Sequence, residues 1–265
     1  MEIVGYFLSL LIGISLGLIG GGGSILTIPV LVYLFKLDPF VATGYSLFIV
    51  GISSLAGAII KYTQKQVDLQ ATLYFGLTSV ITVLLVRKLL LPIVPEEFFT
   101  IKKTVFTKSL MTLVLFSIVM IIAATHMIRK DIAPGKLENS PFPIRKALIR
   151  GLEVGALTGL LGAGGGFVII PVLIFSFKLP MKKAIGTSLF IIAINSLFGF
   201  GGDMISKHQY NWELLFRISA ISCAGIFVGN ALSNKIGANN LKKGFGYFVL
   251  IVGAYILLHE TLKPR

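Results

Sequence analysis

Gly17-Leu18-Ile19-Gly20-Gly21-Gly22-Gly23-Ser24, running on to Ile28-Pro29-Val30-Leu31, is written twice in this chain. It returns 142 residues later as Gly159-Leu160-Leu161-Gly162-Ala163-Gly164-Gly165-Gly166, running on to Ile170-Pro171-Val172-Leu173. The match holds without a gap from Gly17/Gly159 to Gly57/Gly199, and about half of the aligned positions are identical. It passes through Phe35-Lys36-Leu37 (Phe177-Lys178-Leu179), Gly44-x-Ser46-Leu47-Phe48 (Gly186-x-Ser188-Leu189-Phe190) and Ser54-Leu55-x-Gly57 (Ser196-Leu197-x-Gly199). A glycine cluster inside an apolar segment, set at the same place in both halves, is the mark that a binding site between two repeats leaves in a membrane sequence.

Working outward, hydrophobic residues make up 55% of the 265 and charged residues 13%, against roughly 25% charged in an ordinary soluble domain. Met111 to Ala124 and Ile218 to Asn234 carry no charge. A bilayer core needs about 20 apolar residues per crossing helix, and the chain supplies that length many times over. The expected class is an all-α polytopic membrane protein. The net charge of +13 does not point to nucleic acid. The basic residues sit in the joints between apolar runs, where they set orientation and meet headgroups, and no basic stripe interleaved with aromatics occurs. Cys223 is the sole cysteine, which excludes disulfides and thiolate metal sites within one chain. Its apolar surroundings mark it as a small buried residue. The N-terminal segment lacks a basic region ahead of its apolar run and shares its glycine block with mid-chain, so it reads as a structural segment, not a signal peptide.

Eight apolar blocks are expected, near 3–35, 40–60, 69–91, 104–128, 147–177, 182–202, 212–234 and 242–260. They group as a first transmembrane repeat (1–128), a polar linker (129–146) with Pro134, Pro141 and Pro143, and a second repeat (147–265). Gln66-Val67-Asp68-Leu69 matches Gln209-Tyr210-Asn211-Trp212 with one residue inserted. Blocks one and five, at about 1.5 Å per residue, would run some 50 Å as straight helices, against a core of roughly 30 Å. A glycine cluster, each costing close to 1 kcal/mol in a helix interior, unwinds each block near its middle, and a second short helix starts near Ser24 or Gly166. Pro29 and Pro171 are expected in the early turns of those second helices. Two arrangements follow. If the pieces fold back as hairpins, each half keeps three crossings and the repeats are inverted; if they cross, each keeps four and the repeats are parallel. The distribution of Lys and Arg between the two sides favours the hairpin by a small margin.

Unwound backbone at membrane depth is tolerated only where protein or a wet cavity surrounds it. The half-helix beyond it presents unpaired N–H groups and a positive dipole end, a ready anion site. Gly20, Gly21, Gly22, Gly23 and Ser24, with Gly162, Gly164, Gly165 and Gly166, are therefore candidate substrate contacts, bounded by Pro29 and Pro171; close helix packing by small residues is the competing reading. On the next helix of each half, Tyr45, Ser46, Ser53 and Ser54 align with Thr187, Ser188, Asn195 and Ser196. Within each helix the two neighbouring pairs lie about two turns apart and share one face. Of these, Tyr45, Ser46, Ser53, Thr187, Ser188 and Asn195 are candidate anion donors, with interhelical hydrogen bonding as the equal alternative. Thr43, paired with Ile185, breaks the symmetry.

Ionisable residues inside the blocks are scarce. Glu153, Asp203, Glu213 and Arg217 lie near block ends, where snorkelling accounts for them; Asp203, aligned with Lys61, is also a minor candidate for a proton relay. His126, His208 and His259 lie too far apart for a metal site. Tyr210 and Trp212 read as interfacial belt residues. No nucleophile elbow, zinc motif or phosphate loop occurs, so no catalysis, cofactor or metal is expected.

On the doubled Gly17-x-x-Gly20-Gly21-Gly22-Gly23-Ser24-x-Leu26-x-x-Pro29 motif, its echo at Gly159–Pro171, and the duplicated Gly-x-Ser-Leu-Phe helix, the chain resembles the TauE/SafE family of sulfite and organosulfur anion exporters over nearly its whole length. Ala163 in place of a cluster glycine, and the longer segment around Pro92, Pro95, Glu96 and Glu97, depart from internal symmetry. The resemblance implies a secondary transporter of a small anion in a prokaryotic plasma membrane. Sulfite, a sulfonate or a related anion would move by alternating access; an anion channel or a permease for another oxyanion is the alternative. The partners expected are the bilayer and the anionic solute, with room for a coupling ion (H+ or Na+) and for a homo-oligomer, and none for nucleic acid.

Overall fold

The computed structural model describes residues 2–21, 23–90, 93, 97–101, 104–129, 142–161, 165–204, 210–233 and 235–262. Helix α1 (Glu2–Ile19) stops at the first glycine cluster, and α2 (Gly23–Pro29) resumes beyond it, prolonged by a π-helical turn over Val30–Leu34. Then follow α3 (Pro39–Thr63), α4 (Leu69–Leu85, prolonged by a π turn at Val86–Leu90), strands β1 (Glu97–Ile101) and β2 (Thr104–Thr107), and α5 (Lys108–Arg129). The later part repeats the order with α6 (Ile144–Leu161), a second break, α7 (Gly166–Phe177), α8 (Met181–Asp203), α9 (Trp212–Ser233) and α10 (Ala238–Leu262). The polytopic helical reading holds, and both long blocks are broken at their glycines. A small antiparallel hairpin, Thr100 opposite Val105, is the addition. It takes up the start of the block expected from 104, so α5 opens at Lys108. Most of the expected linker, residues 130–141, lies outside the described residues.

Pro29 and Pro171 sit in the second turn of their helices, the later of the two positions open to them. Pro29 is the last residue of α2 and Pro171 the sixth of α7, well past the first turn. A proline there removes a helical donor. After Pro29 the ladder widens to the π register, in which Phe35 N–H reaches the Val30 carbonyl at 3.3 Å. The duplicated Phe-Lys-Leu then closes each second piece in the same way. Lys36 and Lys178 both adopt φ 55°. Leu37 N–H donates to the Leu31 carbonyl (3.1 Å) and Leu179 N–H to the Leu173 carbonyl (3.2 Å), in each case one residue wider than the bond of a Schellman stop.

Pairwise contacts give the direction of every helix in the core. Along α1 and α9, Ser222 Oγ donates to the Ser9 carbonyl (3.0 Å) and Gly229 abuts Gly17, so the two run parallel. Along α6 and α4, Gly151 abuts Phe75 and Thr78 while Gly159 abuts Val83 and Val86, again parallel. Phe48 packs on Trp212 and Lys61 Nζ reaches Ser233 Oγ (3.3 Å), so α3 runs with α9. Asn195 Nδ2 donates to Ser79 Oγ (2.6 Å) and Gly202 lies by the Cβ of Arg87, so α8 runs with α4. Between α3 and α8 the order reverses: Gly44 faces Asp203 and Gly57 faces Leu189. Each of α1, α3 and α4 is therefore antiparallel to its own copy, α6, α8 and α9. The repeated segments are inverted.

Because α1 and α3 point the same way, the piece between them must return. Tyr6 and Phe35, at the two ends of the first broken block, meet ring to ring at 5.8 Å, and Phe142 and Phe177 close the second at 5.5 Å. Each broken block is a re-entrant hairpin. From Tyr6 to Ile19 it reaches roughly 20 Å into a core of about 30 Å. Among the described residues, α3, α4 with its π turn, α8 and α9 are long and apolar enough to cross; α5 and α10, with 22 and 25 residues, pair antiparallel beside them.

Burial follows the solvent expected of a bilayer. On α4 the row Leu69, Leu73, Leu77, Ile81 and Leu85 is half exposed or more, 49–60%, a four-residue stripe that only lipid would cover. On α3 and α8 it is Ser46, Ser53, Ser54, Thr187, Ser188, Asn195 and Ser196 that are sealed inside. The topology predicts that, with Cys223 replaced by alanine, cysteines at Val4 and Lys36 react with an impermeant maleimide from one side of the membrane and a cysteine at Lys65 from the other. Labelling of Val4 and Lys36 from opposite sides would restore the four-crossing arrangement.

Candidate functional site

The tips of the two hairpins meet. Gly20 (φ 80°) and Gly165 (φ 69°) take left-handed backbone that L side chains avoid, which lets each chain reverse out of its first helix. Gly21 and Gly166 then stack backbone on backbone: a methyl placed on Gly166 would stand 2.6 Å from the Cα of Gly21 and 2.7 Å from Ile192 Cδ1. Gly20 lies over α8, where an added Cβ would come 2.7 Å from Ser188 Oγ. Gly23 rests on Ile12 and Leu16 of its own hairpin, and Ser24 Oγ donates to the Gly21 carbonyl at 2.7 Å. Gly20, Gly21, Gly23, Ser24, Gly165 and Gly166 are buried, and Pro29 and Pro171 are half-buried on the return arms. Gly22, Gly162 and Gly164 lie outside the described residues. In α7 the bonds from Val168 and Ile169 N–H to the Gly165 carbonyl (2.9 and 3.0 Å) start the ladder. The Gly166 and Phe167 amides stand ahead of the first bond of that ladder.

The polar residues on α3 and α8 divide into two kinds. Tyr45 and Thr187 perform one job twice. Tyr45 Oη accepts from Asn211 N–H (2.6 Å), and Thr187 Oγ1 accepts from Asp68 N–H (2.9 Å). Asn211 and Asp68 are the matched residues that open α9 and α4, accepting in turn from Leu214 N–H (3.1 Å) and Ala71 N–H (2.9 Å). Each hydroxyl thus ties the start of a crossing helix to its neighbour from the other half. The second kind lies deeper. Ser188 Oγ donates to the Ile185 carbonyl (2.8 Å) beside Gly20, and Ser53 Oγ to the Ile49 carbonyl (2.6 Å). Ser46, Ser54 and Ser196 are fully buried with hydroxyls that meet no partner among the described residues, and the same holds for Asn195 Oδ1, whose amide nitrogen is held by Ser79. A buried hydroxyl left unmade costs about 1–3 kcal/mol.

Sequence reading missed the charged centre of the fold. Arg87, in the π turn after α4, has a side chain with no exposure, paired through Nη1 with Asp203 Oδ2 and 3.3 Å from Thr43 Oγ1. The signal was available: Arg87 and Lys88 are the only charges in the block from 69 to 91, where an ionisable residue is functional by default. Snorkelling holds for Glu153, Glu213 and Arg217, which form exposed Arg150–Glu153 and Glu213–Arg217 pairs. It fails for Asp203, turned inward to Arg87. Tyr210 is not a belt residue either. It packs against Tyr45 (5.3 Å) and Phe200 (5.2 Å), and burial together with the Asp203 carboxylate pushes its hydroxyl up to about 12. It stays a neutral donor at any working pH. Cys223, expected to be buried, is half-buried on α9.

Two sets of variants separate these roles. Gly166→Ala and Gly21→Ala drive a methyl into the opposing backbone. They should lower stability by about 1–3 kcal/mol, read as thermal unfolding in detergent, and lose flux with it; unchanged unfolding would deny the tip contact. Tyr45→Phe and Thr187→Val strand an amide and should each destabilise by about 1–3 kcal/mol while leaving the half-saturating solute concentration alone. A weakened half-saturation at unchanged stability would put these hydroxyls on the solute instead.

A family model described as sulfite exporter TauE/SafE matches residues 6–256. A probable membrane transporter protein of Xylella fastidiosa is 28% identical over 255 residues, covering 93% of this chain and 91% of the relative. Others from Methanocaldococcus jannaschii and Bacillus subtilis (YunE) are each 26% identical, over 94% of this chain and 92% and 95% of theirs. No solved structure matches. With the doubled glycine motif at the tips of inverted hairpins, the chain belongs to the TauE/SafE sulfite exporter family, a family of integral membrane transporters.

Proposed function

We propose that the chain is a secondary transporter that exports a small anion, sulfite, a sulfonate or a related organosulfur anion, across a prokaryotic plasma membrane by alternating access. The observation that carries this reading is the meeting of Gly21 and Gly166 between helices whose buried Ser46, Ser54 and Ser196 hydroxyls have no partner. Bare tip amides and neutral hydroxyls donate hydrogen bonds to an oxyanion without fixing a charge, and they hold it where water is excluded. Inversion of the repeated segments supports two equivalent half-cycles: the same contacts, made by the other copy, open the opposite face. The division into repeats at 1–128 and 147–265 accords with this exchange. Lysines and arginines gather at the end holding Lys61, Lys65, Lys182 and Lys183, which orients that end to the cytoplasm. The gradient of the anion itself, or a coupling ion such as H+ or Na+, supplies the driving force.

Proteoliposomes holding the purified chain should take up or release sulfite, thiosulfate or methanesulfonate with saturation at rising concentration, and acetate less well. Flux that rises linearly with concentration would favour a channel. Equal flux in empty liposomes would reject the reading.

A further inference from the structure

Arg87 is in use on one side only. Its Nη1 serves Asp203 and Thr43, while Nε and Nη2 are buried without a partner among the described residues. Those two nitrogens form the side edge of the guanidinium, with two parallel N–H bonds at the spacing of two oxygens on one carbon or sulfur. The free edge of a charged fork is costly to leave without hydrogen bonds inside a low-dielectric core, and among the described residues no side chain relieves it. What it fits is an oxyanion. Its surroundings suit one: Thr43 is buried beside it, and Tyr210, a neutral hydroxyl, packs over Gly44 next to Asp203.

The alignment of the two halves sharpens this. Arg87 and Asp203 correspond to Asn230 and Lys61. At that matched place Lys61 is buried, touches Ser233 Oγ at 3.3 Å, and forms no ion pair among the described residues, while Asn230 Oδ1 is buried without a partner. Each end of the α3–α8 pair therefore holds one buried cation. At one end the Asp203 carboxylate occupies it; at the other, none does among the described residues.

We propose that the Nε/Nη2 edge of Arg87 is a binding subsite for the transported oxyanion, at the end of the path where α3 begins and α8 ends, with Asp203 holding the guanidinium in place. This rests on the anion-transport reading above. Both nitrogens are sealed here, so the subsite works in the conformation that opens this end.

Three variants in proteoliposomes, followed by sulfite flux and thermal unfolding, decide it. Arg87→Lys keeps the charge and the Asp203 pair but loses the fork; it should raise the half-saturating sulfite concentration by about tenfold at near-normal stability. Asp203→Asn keeps the fork and should keep half-saturation at or below the wild-type value while lowering the unfolding temperature. The swap Arg87→Asp with Asp203→Arg should recover stability but not flux. Wild-type half-saturation in Arg87→Lys, or in the swapped protein, would make the pair a structural tie and overturn the subsite while leaving the transport reading intact. Should Arg87→Lys fail to accumulate, the swap alone decides. Absence of sulfite, thiosulfate and sulfonate flux in the wild type would reject the transport reading and the subsite with it.

Discussion

Backbone polar groups cannot be left to hydrocarbon, and this fold breaks two helices in the middle of one. The contact that makes the breaks tolerable is Gly21 against Gly166, with Gly20 over Ser188. Each hairpin tip is covered by the other and by the α3–α8 pair. Side chains would hold the two backbones apart, which is why small residues occupy the contact. The positive φ of Gly20 and Gly165 then gives each chain its reversal. The rest of the architecture serves that meeting point. The hairpins pack on α9 and α4, and α3 with α8 forms the wall between them.

The polar groups inside divide along the same line. Tyr45 and Thr187 are spent on the entrances of α9 and α4, a tie made twice with different side chains and the same geometry. The serines nearer the tips remain unspent. Neutral donors suit a solute that must also leave: hydroxyls and amides bind an anion without the grip of a fixed positive charge. The buried cations sit at the two ends of the α3–α8 pair, Arg87 at one and Lys61 at the other.

Much of this was legible in the residues. The doubled Gly-rich block located both breaks, and its length against the bilayer required them. The identical Phe-Lys-Leu takes matched ends, with left-handed Lys36 and Lys178. The Lys and Arg distribution favoured the hairpin over the crossing only slightly, because both bury the same residues; the parallel run of α1 and α3 and the Tyr6–Phe35 and Phe142–Phe177 closures decide it. Nor could one face of a helix tell a capping hydroxyl from a free one. Tyr45 and Ser46 are neighbours in sequence, yet only Tyr45 faces the start of α9. Arg87 was overlooked since it stands beside Lys88 at a block end, where two basic residues resemble an interfacial anchor. Its partner Asp203 lies 116 residues away, and no local pattern links them.

The most direct measurement of the central claim is an experimental structure of the protein with selenite as a heavy stand-in for sulfite. The account predicts two re-entrant hairpins in contact at Gly21 and Gly166, with an anomalous peak within hydrogen-bond reach of tip amides and of Ser46 or Ser188. Continuous helices through residues 20–22 and 162–165, or tips held apart by lipid with selenium only at the surface, would contradict it.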